Sequence, residues 1–519
     1  MPNWPKGEIY FHTVIQANAR IIPDALALAF NGRDYTWAEM HGAVEGLRRG
    51  LARAGVVHGT RVAVFDRNSD HFLLLGYALA AMGAVIVPIN IHLRSAEAAY
   101  ILGNCRPSFL VTNDEFRQIV DQATADLENR PRIISRGEIR DGDIGWEDVA
   151  DGPSDIEISS PKSWNDTHLV LYTSGTTGKP KGVLLSHRRT VLDALAASAA
   201  FGIRRGDRFF CYLPQFHTAS WDWIKMFLLQ QGAVVLAERF DAANAIDLMQ
   251  RYRCTAMLGF SVVLKKLIEA PEWQGADMSS MRFLGYGAYD PSNLLEETIR
   301  QFRERGATEM EFALPYGLTE AGPFVLIGRP EDVRGRASML GTPVPGVDVA
   351  LLDDDDREVP RGEVGEICVR SAAVMSGYLD NPEATAEAFR NGWLHTGDMA
   401  RQDADSFYHM VDRKKDMIRT AGENVFAKEV EQVLVTHPAI AECAVVGMPD
   451  DVYGEKVVAA VVSRNGETDA TGIQNFVRER IAGFKTPKVV IFLDQLPRNA
   501  LGKIVKPELR EVIRSANIQ

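Results

Sequence analysis

Cysteine is scarce in this sequence and widely scattered. Cys105, Cys211, Cys254, Cys368 and Cys443 form no C-x-x-C pair. That excludes a disulfide framework or a zinc site read from spacing, and it fits a reducing, cytoplasmic setting. Positive charge is also short, with 57 Lys and Arg against 69 Asp and Glu and a formal net charge of −12. A general nucleic-acid binder and a polybasic membrane anchor are excluded on that balance. The segment Met1-Pro2-Asn3-Trp4-Pro5-Lys6 lacks the apolar region of a secretory signal, and Asn517-Ile518-Gln519 is not a peroxisomal address. One long uncharged run exists, Phe72 to Ile89, but Gly76, Gly83 and Pro88 interrupt it, without a basic flank or aromatic belt. It reads as a buried helix to about Met82 and a buried strand, Ala84-Val85-Ile86-Val87, so no integral membrane segment is expected.

What is present describes a globular enzyme-sized chain. With 519 residues, 46% hydrophobic and 24% charged, more than one domain is expected. Strand-like runs such as Arg61-Val62-Ala63-Val64-Phe65, Phe109-Leu110-Val111, Ala233-Val234-Val235-Leu236 and Ala256-Met257-Leu258 recur among amphipathic helical stretches. That alternation points to an α/β fold with mostly parallel sheets. Beyond Gly341, frequent Gly and Pro with short strands such as Glu366-Ile367-Cys368-Val369 suggest a smaller β-rich subdomain. The last hundred residues read as a separate α+β unit. Helices are marked by Val430, Val433 and Leu434 and by Ile473, Phe476, Val477 and Ile481; strands by Cys443–Val446, Val457–Val462 and Val489–Phe492. The charged segment Asp412-Arg413-Lys414-Lys415-Asp416 is the natural boundary, giving domains 1–412 and 413–519.

Chemistry enters at Thr173-Ser174-Gly175-Thr176-Thr177-Gly178-Lys179-Pro180-Lys181-Gly182, directly after the strand-like Leu169-Val170-Leu171-Tyr172. Four hydroxyls, three glycines and two lysines fall within ten positions. Glycines let backbone N–H groups approach an anion, hydroxyls add donors, and lysines add compact positive charge. That suits a polyphosphate, although composition alone also permits a polar surface loop. It is not a Walker A loop, because G-x-x-x-x-G-K-[ST] is absent. Four further clusters follow. Tyr316-Gly317-Leu318-Thr319-Glu320 offers an aromatic face, a hydroxyl and a carboxylate suited to Mg²⁺. Trp393-Leu394-His395-Thr396-Gly397-Asp398 carries a carboxylate able to accept from ribose hydroxyls. The boundary segment continues into Met417–Val425, and Leu496–Lys503 ends on a lysine.

Each cluster alone is weak evidence; their order and spacing together are strong. The chain resembles the adenylate-forming enzymes, the family of acyl-CoA synthetases, adenylation domains and firefly luciferase, and is most like an acyl-CoA synthetase. The resemblance implies a large N-terminal α/β domain and a small mobile C-terminal domain. It implies activation of a carboxylic acid with ATP and Mg²⁺ to acyl-AMP and pyrophosphate, then transfer to coenzyme A. Carried over residue by residue, Thr173, Ser174, Gly175, Thr176, Thr177, Lys179 and Lys181 would handle the β- and γ-phosphates. Gly287, Ala288 and Tyr289 would form the ledge under the adenine, with Tyr316 and Gly317 on its opposite side. Thr319 would bond the α-phosphate and Glu320 would bind Mg²⁺. Asp398 and Arg413 would take the ribose, Lys415 would be the hinge, and Gly422 would let the pantetheine arm approach. Lys503 would bridge the substrate carboxylate and the α-phosphate, and His217 would stand at the acyl-pocket wall.

Departures and alternatives accompany the resemblance. Asp412 stands where the family commonly has Gly, and Asn424-Val425-Phe426-Ala427-Lys428-Glu429 lacks the usual proline. Ser220-Trp221-Asp222-Trp223 replaces small residues often found after the pair Phe216-His217, which disfavours long straight acids. Walls built from His217, Trp221, Gly259, Phe260 and Tyr286 favour a medium-chain or aryl acid, although His217 could instead be a core histidine, and Trp221 and Trp223 core residues. The run Asp353–Asp356 reads as a solvated hairpin turn, because consecutive carboxylates do not converge easily on one ion. Lys414 and Lys428 read as solvent-facing. A carrier protein acting in trans is the alternative acyl acceptor, and a non-catalytic ATP or AMP sensor is the alternative from another class. Retention of Lys503, Glu320 and Asp398 together argues against the sensor. The sequence leaves oligomeric state open, a homodimer included.

Overall fold

The computed structural model of the protein describes residues 8–152, 156–173, 179–287, 294–329, 332, 339–420, 423–450, 452–464, 469–498 and 504–515. Among these residues the chain builds three sheets. The first has eight strands, ordered Gly377–Tyr378, Lys181–Ser186, Thr167–Thr173, Val85–Pro88, Arg61–Phe65, Phe109–Thr112, Arg132–Ser135 and Ile144–Gly145. Pairing is parallel from Thr167–Thr173 to the far edge and antiparallel at the Lys181–Ser186 end. Parallel neighbours need crossover helices, which the alternating hydrophobic and amphipathic stretches supply. The helix Asp70–Ala81 is one of them. Ser69 caps it by accepting from the Phe72 N–H at 3.1 Å, and every residue of the helix except His71 is buried. The uncharged run is thus a core helix and strand, and no described helix is long and apolar enough to cross a membrane.

The second sheet is mixed. Its parallel part runs Glu311–Leu318, Phe283–Tyr286, Ala256–Gly259, Arg208–Cys211, Ala233–Leu236 and Leu26–Phe30. Beyond Glu311–Leu318 every neighbour is antiparallel: Gly322–Gly328, Met339–Pro343, Tyr408–Arg413, Trp393–Gln402, Val364–Ser371 and Val347–Leu352. The β-rich region expected after Gly341 is therefore the antiparallel continuation of an α/β sheet. Most connections there are short, as between Pro343 and Val347, which favours antiparallel pairing; the longer one after Ser371 carries the strand Gly377–Tyr378 and the helix Pro382–Ala388. The strand Phe283–Tyr286 starts just after a turn in which the Met281 N–H donates to the Met278 carbonyl at 2.9 Å.

The C-terminal sheet pairs Glu423–Phe426, Met417–Thr420, Gly454–Ser463 and Ile440–Asp450, with Val489–Phe492 parallel beside Gly454–Ser463. Helices Ala427–Leu434 and Ala470–Arg478 bury Val430, Leu434, Ile473 and Val477 in one core layer. Leu509 and Ile513 of the helix Lys506–Ser515 bury into the other. Ile481 lies past the end of its expected helix. Two charged residues differ from expectation. Lys414 is half-buried, with Nζ 2.8 Å from Asp354 and 3.0 Å from Glu366. Lys428 is also half-buried, and its N–H donates to Asp412 Oδ2 at 3.0 Å. The Asp353–Asp356 hairpin is correspondingly only partly solvated: Asp353 accepts from the N–H groups of Asp355 and Arg357, while Asp356 faces Arg390 at 3.3 Å.

Candidate active site

Three proposed site segments lie at the carboxyl ends of strands, where α/β sheets present ligand-binding loops. Thr173 ends Thr167–Thr173, Gly287 follows Phe283–Tyr286, and Tyr316 to Glu320 close Glu311–Leu318. The first and third segments meet. The Thr173 hydroxyl donates to Glu320 Oε1 at 2.9 Å, and the Tyr378 hydroxyl donates to the same oxygen at 3.1 Å. Tyr378 arrives because Gly377–Tyr378 pairs with the strand Lys181–Ser186, Tyr378 opposite Val183. Burial first, then the Glu320 charge, pushes the Tyr378 phenol well above its ordinary range. Lys181 Nζ stands 5.1 Å from the Tyr378 ring centroid, whereas Lys179 is exposed and lies over the ring of Tyr100. A carboxylate with two hydroxyls beside it is an all-oxygen donor set, which suits a hard dication such as Mg²⁺.

A second group gathers around Asp398. Tyr316 donates its hydroxyl to Asp398 Oδ2 at 2.8 Å, and Arg413 Nε lies 3.2 Å from Oδ1. Strand register makes this inevitable, since Asp398 and Arg413 are direct antiparallel partners. Burial, then the Asp398 charge, raises the Tyr316 phenol far above its usual range. The loop before Asp398 is itself held. Thr396 accepts from the Asp398 N–H at 3.1 Å and donates to the Ile367 carbonyl, while Glu366 accepts from the Gly397 N–H at 2.9 Å. The other Glu366 oxygen takes Lys414 at 3.0 Å and His395 Nδ1 at 3.2 Å. Burial would raise the Glu366 carboxyl, but Lys414 and His395 outweigh it and hold it low. Glu366, Cys368 and His395 have the spacing of a metal site. Lys414 already pairs with Glu366 Oε2, and His395 Nδ1 lies between that oxygen and Arg390, 2.9 Å away, so the surroundings of the cluster are those of an ion-pair network.

The residues expected beneath the adenine and around the acid are also neighbours. The Gly287 N–H donates to the Gly259 carbonyl at 3.0 Å, Gly259 pairs with Tyr286, and the Phe260 ring lies where a Gly287 side chain would be. Gly317 has the Gly322 carbonyl and Pro323 backbone in the place of a side chain. Thr319 is half-exposed in the turn after Leu318, and His217 is half-exposed at the head of the helix Thr218–Leu229. Trp221 and Trp223 are core. Trp221 packs on Phe72 and fills the side-chain space of Gly76, and Trp223 does the same at Gly285. Trp221 is therefore no pocket wall. Ser174, Gly175, Thr176, Thr177, Ala288, Tyr289, Gly422 and Lys503 lie outside the described residues. Sequence reasoning missed Tyr378, Glu366 and Thr396 as supports; only the adjacency of Thr396 to Asp398 carried any signal.

Comparison with known proteins decides the family. Residues 15–379 match the AMP-binding enzyme family, and residues 429–503 match the AMP-binding enzyme C-terminal domain. The chain belongs to the AMP-binding enzyme family. It is 35% identical to an indoleacetate–CoA ligase of Aromatoleum aromaticum over 505 residues, 96% of this chain and 97% of the relative. It is 36% identical to a feruloyl-CoA synthase of an Amycolatopsis species over 495 residues, 95% of this chain and 96% of the relative. Among solved structures, the Bacillus subtilis O-succinylbenzoate coenzyme A synthetase in complex with ATP and magnesium superposes with a TM-score of 0.83. That match has 28% identity and covers 96% of this chain and 99% of the other. Like those relatives, this AMP-binding enzyme is an acid–thiol ligase that acts through an adenylate.

Proposed function

We propose that this chain is an AMP-forming acid–CoA ligase for an aryl or medium-length carboxylic acid. The convergence of Thr173, Tyr378 and Glu320 beside the Asp398–Tyr316–Arg413 cluster carries the reading. Contacts spanning 58, 82 and 147 residues of sequence assemble one carboxylate suited to a cation and one suited to a sugar. The chain's similarity to ligases of indoleacetate and ferulate supports an aryl acid. In this reading Asp398 accepts from the ribose hydroxyls, with Arg413 and Tyr316 fixing its orientation. Thr173, Lys181 and the intervening loop hold the β- and γ-phosphates, and Thr319 donates to the α-phosphate.

Attack of a carboxylate on the α-phosphorus brings two anions together, so donors must offset charge where it develops. Glu320 would hold Mg²⁺, which supplies charge neutralisation at the phosphate oxygens. Thr173 and Tyr378 keep the Glu320 carboxylate turned toward that position. Lys503 holds the acid's carboxylate in line and bridges it to the α-phosphate. The acid oxygen bonds to phosphorus as the bond to pyrophosphate breaks. Residues from 413 onward form the mobile domain, with Lys415 as its hinge and Gly422 beside the path of the pantetheine thiol. The thiol then attacks the acyl carbon and AMP leaves.

Stoichiometry tests this. With ATP, Mg²⁺, an aryl acid and coenzyme A, the enzyme should yield AMP, pyrophosphate and acyl-CoA in equal amounts. Formation of ADP, or AMP release without thioester when coenzyme A is present, would contradict it. A thioester formed only on a phosphopantetheinylated carrier would replace coenzyme A with the carrier as acceptor.

A further inference from the structure

Four charged side chains that this mechanism leaves unused are buried together between the helices His187–Phe201 and Thr218–Leu229. Arg189, Asp193, Asp222 and Lys225 are each at most 3% exposed. Arg189 Nη1 donates to Asp222 Oδ1 at 2.7 Å, and Lys225 Nζ stands 3.8 Å from the same oxygen. The pairing is incomplete. Arg189 Nε and Nη2, Lys225 Nζ and Asp193 Oδ2 have no hydrogen-bond partner among the described residues. Buried donors left unmade are costly, and an apolar replacement of the whole cluster would stabilise the core better. The cluster's unmade donors are free to take an oxygen acceptor brought to them.

Two contacts tie the cluster to the active site. Thr218, next to His217 and half-exposed, donates its hydroxyl to Asp222 Oδ2 at 2.6 Å. One helix face therefore leads inward from Thr218 through Asp222 to Lys225. From the other side comes Gly322, two residues after Glu320, with φ +100°. A side chain there would begin 2.8 Å from Asp193 Oδ1, so only a glycine separates the Tyr316–Glu320 turn from Asp193. Electrostatics within the cluster favour an acceptor. Burial and the Asp222 charge outweigh Arg189 and push the Asp193 carboxyl up, toward its neutral form. Asp222 stays low despite burial because Arg189 and Lys225 face it. Lys225 Nζ also lies over the Phe11 and Trp221 rings at 5.0 and 5.5 Å, so the spare hydrogen-bond donors are chiefly Nε and Nη2 of Arg189.

We propose that Arg189, Asp193, Asp222 and Lys225 form the far end of the acyl pocket and bind a carbonyl or carboxylate oxygen at the acid's distal end. This rests on the adenylation reading and narrows it, from any aryl or medium-length acid to one with a second polar terminus. Hydrocarbon tails, which leave the donors unmade, are rejected.

Matched acids test it by ATP–pyrophosphate exchange without coenzyme A: an unsubstituted chain, its terminal ketone and its terminal carboxylate, on aliphatic and aryl frames. The ketone or the carboxylate should exceed the unsubstituted acid in kcat/KM by on the order of 10²-fold, as buried polar recognition allows. The better of the two names the acceptor. Two variants assign the preference: Lys225→Met, and the triple variant Arg189→Met/Asp222→Leu/Lys225→Met, which removes the facing charges together and leaves no buried cation unpaired. In whichever retains the wild-type melting temperature, the preference should fall to within about threefold. Wild-type exchange as fast with the unsubstituted acid, or an unchanged preference in a folded variant, overturns the inference and leaves adenylation standing. Exchange with no acid overturns the adenylation reading and the inference with it.

Discussion

At the scale of single residues, two carboxylates with different neighbours define the candidate site. Glu320 is flanked by hydroxyls and Asp398 by a phenol and a guanidinium. Glu320→Gln should lower pyrophosphate exchange by on the order of 10²–10³, the usual cost of a charge placed against the transition state. Tyr378 touches Glu320 and acts through it. Tyr378→Phe should cost only about three- to tenfold and raise the Mg²⁺ concentration for half-maximal exchange. A rate loss with unchanged Mg²⁺ dependence would make Tyr378 merely structural. Glu320, Asp398 and Arg413 stand out in the sequence because their neighbours form compact strings. Tyr378 does not, because it reaches the site through strand pairing with Val183 and no local spacing encodes that contact.

Among the elements, ion pairs connect the loop proposed to take the ribose to the segment before the proposed hinge. Glu366 holds the Gly397 N–H with one oxygen and Lys414 with the other. Glu366→Ala should raise KM for ATP about tenfold with little change in kcat, since it loosens the loop that orients Asp398; titration of exchange against ATP checks this. Asp412 is buried, and its carboxylate accepts from Lys428 at the start of the helix Ala427–Leu434. Asp412→Ala should cost about 1 kcal/mol, the scale of an anion at a helix N-terminus, read from denaturant midpoints. Helices and strands were visible where apolar residues kept one period, as Val430 with Leu434 and Ile473 with Val477 show. The burial of Lys414 and Lys428 is not legible locally, because a charged residue carries no periodic signal and their partners, Asp354 and Asp412, lie elsewhere in the chain.

For the whole molecule, the antiparallel continuation of the second sheet escaped the sequence reading, since register across distant segments is not written in local pattern. A packing feature beside the first sheet bears on the response to acid. His12, His168 and His187 are buried, with ring centroids 5.0 and 5.6 Å apart from His187 to the others. Burial, with Lys225 and neighbouring rings adding in part, pushes all three down, His187 to about 3. The folded state keeps them neutral while the unfolded chain protonates them near pH 6.5. Stability from this source is therefore full above about pH 6.5 and falls as pH drops, at up to about 1.4 kcal/mol per pH unit for each ring. Melting temperatures from pH 7 to pH 4.5 should decline, and His187→Phe should flatten that decline; an equal slope in the variant would contradict it. Domain alternation gives the other molecule-scale expectation. Lys503→Ala should nearly abolish acyl-adenylate formation yet still convert supplied acyl-adenylate and coenzyme A to thioester, whereas equal loss of both half-reactions would remove its assigned role.

The most direct test of adenylation at this site is acid-dependent ATP–pyrophosphate exchange, measured without coenzyme A over aliphatic, aryl and dicarboxylic acids. Exchange that requires both an acid and Mg²⁺, and that Glu320→Gln reduces by on the order of 10² or more, is the expected result. Bound ATP with no exchange for any acid, or exchange indifferent to Glu320, would contradict the assignment.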